Sequence, residues 1–260
     1  MLKALMIHTG REGESFVVST VAGAEELTTV RRTTNSEVTA MREENLEPLW
    51  QRLGLLFKAH PWHGVPIGDE APTTVTAYIE IVPTDTVKYE IDKTTGYLKI
   101  DRPQKFSNVC PTLYGLIPQT LCAEQVGALC AERTGRPGIR GDGDPLDICV
   151  LTEKTIPRGD ILLRAIPIGG LRTIDSNAAD DKIIAVMQHD AMYGGWRDVT
   201  DCSPALLERL KHYFLTYKDA PDAPARKCEI THVYDRQEAY EVIRRSQTDY
   251  QARFGDRKAW

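Results

Sequence analysis

Asp142-Gly143-Asp144-Pro145-Leu146-Asp147-Ile148 runs directly into the apolar stretch Cys149-Val150-Leu151. Three carboxylates this close repel one another, and each carries a large desolvation cost if buried without a partner. The segment is therefore not core. It reads as an acidic loop at the mouth of a buried strand. Oxygen ligands at short range suit a hard divalent ion, Mg²⁺ or Ca²⁺, better than zinc. Asp, Gly and Pro are also ordinary turn residues, and a lone loop of this composition is more often solvated than catalytic. A calcium-loop reading puts Glu153 at the twelfth position from Asp142. It fails at the sixth, where the turn needs glycine and Asp147 stands, and the apolar run argues strand.

The surrounding chain supplies the frame. Val75, Ala77, Ile79 and Ile81 alternate with Thr76, Tyr78 and Glu80, a period-two pattern that predicts a strand with Glu80 on the opposite face. Val87–Asp92 and Tyr97–Asp101 flank Lys93-Thr94-Thr95-Gly96 and predict a hairpin. Further strands are expected at 147–151, 161–168 and 182–187. Ser203-Pro204 predicts a helix start, with Leu206, Leu207, Leu210, Phe214 and Tyr217 along one face. A last helix is expected from Asp235, with Glu238 as capping partner and Ala239, Ile243, Tyr250 and Phe254 on its apolar side. Strands followed by helices give an α+β class, mainly β: an antiparallel sheet or small barrel with helices packed outside. Residues 115–141, with Gly127, Gly135, Pro137, Gly138 and Gly141, are expected as an inserted surface loop.

Residues 1–40 are rich in Thr, Ser, Arg and Glu without a lasting period, and are expected to be a weakly ordered N-terminal extension ahead of a domain over 41–260. A start at Met41 is the other option. Leu46, Leu49, Trp50, Leu53 and Leu56 predict a short helix over 45–57.

Composition narrows the class. With 32 Lys and Arg against 37 Asp and Glu, the net charge of −5 gives no support to a nucleic-acid or acidic-membrane partner. No apolar run is long enough to span a bilayer, and residues 1–7 lack the pattern of a signal peptide. The 6 cysteines form no Cys-x-x-Cys pair, which argues against structural zinc and fits reduced thiols in a cytoplasm. His60 and His63 lack companion ligands and read as packing or surface residues.

A second acidic group, Asp175 with Asp180 and Asp181, flanks another strand end. A hairpin tip alone explains such residues. Two acidic loops on neighbouring strand ends are also the arrangement that holds divalent ions and activates water for attack on phosphorus. Such a site needs cations for phosphate: Lys88, Arg102, Lys182 and Lys218 are the candidates.

Taken in order, these residues resemble the soluble family I inorganic pyrophosphatases. The resemblance rests on the Asp142–Ile148 signature, Ile79-Glu80-Ile81, Lys88-Tyr89-Glu90-Ile91-Asp92, Ile100-Asp101-Arg102, Tyr114-Gly115, Asp175 with Asp180 and Lys182, and Tyr217-Lys218-Asp219. The stretches from Cys110 and from Gly141 are most similar to the branch found in chlamydiae. The resemblance implies a five-stranded OB-like barrel with helices outside, and Mg²⁺-dependent hydrolysis of pyrophosphate to two phosphates in a cytoplasmic homo-oligomer. It implies Asp142, Asp147, Asp175 and Asp180 as metal ligands with Glu80 and Glu90 in the outer part of the site. It implies Asp144 as the general base, and Lys88, Arg102, Tyr114, Lys182, Tyr217 and Lys218 as phosphate holders. Three departures stand out: Cys110 where a tyrosine is common, Ser176 where an acidic residue often follows Asp175, and the long 115–141 segment. The rival readings are a non-catalytic OB-like binding module, which predicts a basic chain, a calcium-binding protein, which has no use for the Lys, Arg and Tyr set, and a metal phosphatase acting on organic phosphates, which only the family resemblance disfavours.

Overall fold

The computed structural model describes residues 2–9, 15–21, 31–33, 58–218 and 228–255. The chain divides into two units, Met1–Lys58 and Ala59–Trp260. In the first, β1 (Leu2–Thr9), β2 (Ser15–Val21) and β3 (Arg31–Thr33) form an antiparallel sheet in that order, within the stretch where no lasting sequence period was found. The helix expected over 45–57 and the break expected near residue 40 lie outside the described residues.

The second unit is built on a ring of strands. Its elements are β4 (Val75–Ile81), β5 (Val87–Ile91), β6 (Leu98–Pro103), β7 (Leu113–Leu116), α1 (Glu124–Thr134), β8 (Arg140–Gly141), β9 (Asp147–Leu151), β10 (Ile161–Asp175), β11 (Ala178–Ala179), β12 (Lys182–Met187), α2 (Pro204–Thr216), β13 (Cys228–Asp235) and α3 (Arg236–Phe254). Strands β12, β9, β7, β4 and β10 pair in sequence, and β10 pairs back to β12. The five strands therefore close on themselves, as expected of the α+β, mainly β class. The long β10 makes closure possible: residues 161–165 pair with β4, and residues 165–171 pair with β12 across a register shift between Pro167 and Gly169. The far half of β10 also pairs with β13. There Gly170 lies so close under the Tyr234 ring that a Cβ would collide with it.

Both faces of the ring are covered, which explains why Ile148–Leu151 is apolar without alternation. Ile148, Val150, Ile183 and Ala185 pack with Val126, Leu129 and Cys130 of α1 and Ala239, Val242 and Ile243 of α3. Cys149, Leu151, Ile184 and Val186 pack on the other side with Leu210, Phe214 and Tyr217 from α2 and its end. Each fully buried aliphatic side chain contributes about 1.5–3 kcal/mol. The expected caps form: Ser203 Oγ accepts from Leu206 N at 3.3 Å and Asp235 Oδ1 from Glu238 N at 2.9 Å. Hairpin β5–β6 also forms, with Lys88 opposite Arg102 and Gly96 at φ 74° in its turn.

The structure corrects two expectations and adds a strand. The surface loop expected over 115–141 instead carries the end of β7 and helix α1, whose Val126, Leu129 and Cys130 are buried. Glycines and prolines at 135–138 mark only the helix end. Strand β13 is not among the expected strands, because Glu229-Ile230-Thr231-His232-Val233 mixes polar and apolar residues at half-buried positions. Strand β4 does not alternate in exposure, since all seven residues from Val75 to Ile81 are buried. All six cysteines are free and buried, and among the described residues no helix is long and apolar enough to cross a membrane.

Asp190 ties the ends of β9 and β12 together. Its Oδ2 accepts from Thr152 Oγ1 and Glu153 N, both at 2.8 Å, and its Oδ1 from Met192 N at 2.9 Å and Tyr193 N at 2.8 Å. Burial alone would raise its carboxyl pKa, but these donors outweigh burial and hold it below the usual range. A lowered carboxyl pKa adds stability above the unfolded value of about 4, and that stability is lost as pH falls through the folded value. Asp190→Asn should thus lower the melting temperature most near neutral pH, and the gap from the parent should narrow towards about pH 3. Thermal melts at both pH values check this.

Candidate active site

One end of the ring opens into a cleft of about 350 Å³. Every residue that the family resemblance implies for metal, phosphate or proton chemistry lines it, whereas Asp181, grouped with Asp175 and Asp180 in the sequence, is buried against Arg172 instead. They arrive from different elements. Glu80 comes from β4, Lys88 and Glu90 from β5, Arg102 from β6 and Tyr114 from β7. Asp142 and Asp144 lie in the loop before β9, Asp147 opens β9, Asp175 closes β10 and Asp180 precedes β12, which begins at Lys182. Tyr217 caps the C-terminal end of α2 and Lys218 follows it.

The pairing of β9 with β12 sets the centre. These strands run parallel with Lys182 opposite Asp147. The Lys182 side chain is 2% exposed. Its Nζ donates to Asp147, and to Asp180 Oδ1 at 2.5 Å. Tyr114 Oη donates to the same Asp147 oxygen at 2.5 Å. Burial works against the charged ammonium, but Asp147 and Asp180 more than offset it, and the Lys182 pKa lies well above its ordinary value. Lys218 pairs with Asp175, which also accepts from Ser176 Oγ at 3.0 Å. Burial pushes Asp175 up, yet Lys218 and Ser176 prevail and leave it below the usual carboxylate range.

The other wall is the β5–β6 hairpin. Lys88 Nζ lies between Glu90 at 2.8 Å and Asp101 at 2.9 Å. Arg102 also pairs with Asp101 and lies over the Tyr217 ring at 5.7 Å. Its buried Nη2 has no hydrogen-bond partner among the described residues. A buried donor without an acceptor is costly, and Arg102 is one of the residues lining the cleft. Glu80 is 6% exposed and accepts from Ile91 N at 2.7 Å, so it joins β4 to the hairpin as well as facing the cleft. Burial raises its pKa to about 8.

Seven carboxylates and five cationic side chains line the cleft, so full ionisation leaves excess negative charge. Burial first, and then Asp180, Asp144 and Asp147, push Asp142 up to about 8. Burial likewise raises Asp180. Among the described residues no three such ligands close on one point. The ammoniums of Lys93, Lys182 and Lys218 instead sit against Asp144, the Asp147–Asp180 pair and Asp175. The donor set is anionic, oxygen-only and short of positive charge, which fits a hard divalent cation.

Sequence reading gave no role to Lys93 or to Asp101. Lys93 sits in the hairpin turn and reaches Asp144, and the turn's exposure gave no sign of that. Asp101 falls at the register shift of the β5–β6 pair, beside Arg102, which stands opposite Lys88, so strand alternation could not assign it to Lys88. Of the departures, Cys110 is fully buried and does not line the cleft, whereas Ser176 does.

The sequence matches the family described as Pyrophosphatase, inorganic pyrophosphatase, over residues 77–251. It is 52% identical over 195 residues to the inorganic pyrophosphatase of Chlamydia muridarum, covering 74% of this chain and 93% of that one. It is 39% identical over 160 residues to the soluble inorganic pyrophosphatase of Zea mays, covering 62% of this chain and 66% of that one. Among solved structures, the inorganic pyrophosphatase of Thermus thermophilus aligns with a TM-score of 0.63 and 29% identity, over 74% of this chain and 99% of that one.

A divalent cation held at Asp142, whose carboxyl burial pushes up to about 8, would have to displace a proton, so its affinity should rise with pH and level off above about 8. An ion at a hundred times its Kd adds about 2.7 kcal/mol of stability. Melting temperature should therefore rise when Mg²⁺ replaces EDTA, more so at alkaline than at mildly acidic pH. Asp142→Asn should shrink that rise, and thermal melts across the pH range test both points.

Proposed function

We propose that this chain, which belongs to the inorganic pyrophosphatase family and is a pyrophosphate hydrolase, works with Mg²⁺ as cofactor and Asp144 as general base. The observation that supports this best is the convergence of every expected carboxylate and cation on one cleft, with a buried Arg102 donor lacking an acceptor. Family membership sets aside the readings as a non-catalytic binding module or a calcium-binding protein.

Asp142, Asp147, Asp175 and Asp180 would hold the metal, with Glu80 and Glu90 in the outer part of the site. Bound Mg²⁺ supplies charge neutralisation and lowers the pKa of water. Asp144 is nearly half exposed at the mouth of the cleft, the right place to take a proton from an attacking water. As that O–H breaks, a new P–O bond forms and the bridging P–O bond opens, with the electron pair leaving on the second phosphate. Lys88, Arg102, Tyr114, Lys182, Tyr217 and Lys218 hold the two phosphates in line. Arg102 offers a forked contact and the lysines point charges. Little covalent chemistry is asked of the protein, so positioning and electrostatics supply most of the rate.

The buried free thiols support a cytoplasmic setting. Assembly as a homo-oligomer, and a division into a 1–40 extension and a 41–260 catalytic domain, complete the proposal.

Phosphate release from pyrophosphate is the direct test. Release should need Mg²⁺ and stop in EDTA. Asp144→Asn should keep the fold and cut turnover by roughly 10²-fold or more. Full activity in that variant sinks the base assignment. Asp147→Asn should instead shift the Mg²⁺ dependence to higher concentration.

A further inference from the structure

Helix α1 starts without a cap of its own. Ala123 stands at its N-cap with φ −135° and ψ −131° and offers no side-chain acceptor. The free N–H groups of this end are taken up by Asp249, from α3. Its Oδ2 accepts from Ala123 N at 2.9 Å and Val126 N at 3.1 Å, and its Oδ1 from Gln125 N at 2.9 Å. Asp249 is 5% exposed. A buried carboxylate here satisfies several orphan donors at once and faces the positive end of the helix dipole. One turn earlier on α3, the Ser246 carbonyl accepts from Leu121 N at 3.0 Å.

The segment so held, residues 121–123, is the bed of the acidic loop. Cys122 N donates to the Asp144 carbonyl at 2.8 Å, and Gly143 N donates to the Cys122 carbonyl at 2.9 Å. Gly141 N donates to the Ala123 carbonyl at 3.2 Å, and a Cβ on Gly141 would collide with the Cys122 carbonyl. The backbone of residues 141–144 thus lies in direct contact with a strip whose position α3 sets. Asp249 itself does not line the cleft.

We propose that Asp249 is a positioning residue for the reaction: through residues 121–123 it fixes the height and tilt of the Asp142–Asp144 loop. This rests on the functional reading above, in which that loop holds the metal and the base. Asn at 249 keeps the size but loses the charge and turns one acceptor into a donor that faces N–H groups. The bed then shifts and the loop with it. Displacements well under an ångström matter for a group that must meet a water in line.

The test compares Asp249→Asn with Asp235→Ala, which removes the cap of α3 and touches nothing near the loop. Both should melt earlier than the parent. On folded protein, Asp249→Asn should lose roughly tenfold or more in kcat with KM little changed, and calorimetric titration with Mg²⁺ should show weaker binding. Asp235→Ala should keep parental kcat and Mg²⁺ affinity. If Asp249→Asn matches Asp235→Ala in all but melting temperature, Asp249 is a structural cap only and the proposal is overturned. Gly141→Ala, whose Cβ would press on the Cys122 carbonyl and on Ala123 N, disturbs the same bed with the Asp249 side chain unchanged and covers the case in which Asp249→Asn does not fold. It should show the same loss of kcat and Mg²⁺ affinity, and parental values there overturn the proposal equally. A parent enzyme silent towards pyrophosphate would defeat the functional reading instead, while the Mg²⁺ titrations still decide whether Asp249 places the loop.

Discussion

The site depends on one ammonium held between two carboxylates. Lys182 lies between Asp147 and Asp180 because β9 and β12 run parallel and in register at their starts. Parallel neighbours bring like ends together, and here those ends carry opposite charges. An ion set this buried is a weak source of net stability, but breaking it by removing one member leaves an unpaired charge and costs about 3–5 kcal/mol. Its larger effect is geometric. It fixes where Asp147 and Asp180 face, and Tyr114 braces the same Asp147 oxygen from a third strand.

Closure of the ring makes such crowding tolerable. Repelling carboxylates on a loose loop would turn outwards into water. Here Asp147, Asp175 and Asp180 sit at or beside strand ends within a closed set of ladders, and the layers on both faces leave the strands little freedom. The two layers also share out the cleft. α2 delivers Tyr217 and Lys218 to one side, while α1 and α3 lie behind the acidic loop.

Much of this was legible in the sequence. The acidic loop, the hairpin and the caps at Ser203 and Asp235 are local patterns, set by turn chemistry and spacing, and the ordered family motifs joined distant carboxylates into one site. Long-range partners were not legible. Asp249 reads as one more polar residue on an amphipathic helix, since its donors lie far off in sequence. Helix α1 was hidden by flanking glycines and prolines and by a mixed sequence, Glu124–Thr134, that carries no strong amphipathic stripe. Strand β13 shows no alternation because it is half-buried along most of its length. Lys93 could not be assigned to Asp144 without the fold of the hairpin over the loop.

The six buried thiols lead somewhere else. Alkylating reagents need an accessible thiolate. Burial opposes this at every cysteine, pushing Cys110 to about 12 and Cys130, Cys202 and Cys228 to about 11. Cys149 and Cys110 lie under α2 with Cys202 just before it, Cys130 lies on α1 with Cys122 just before it, and Cys228 on β13. Each layer of the fold thus carries its own sealed chemical clock. The order in which the thiols become labelled would record the order in which the layers come apart, with no foreign probe added.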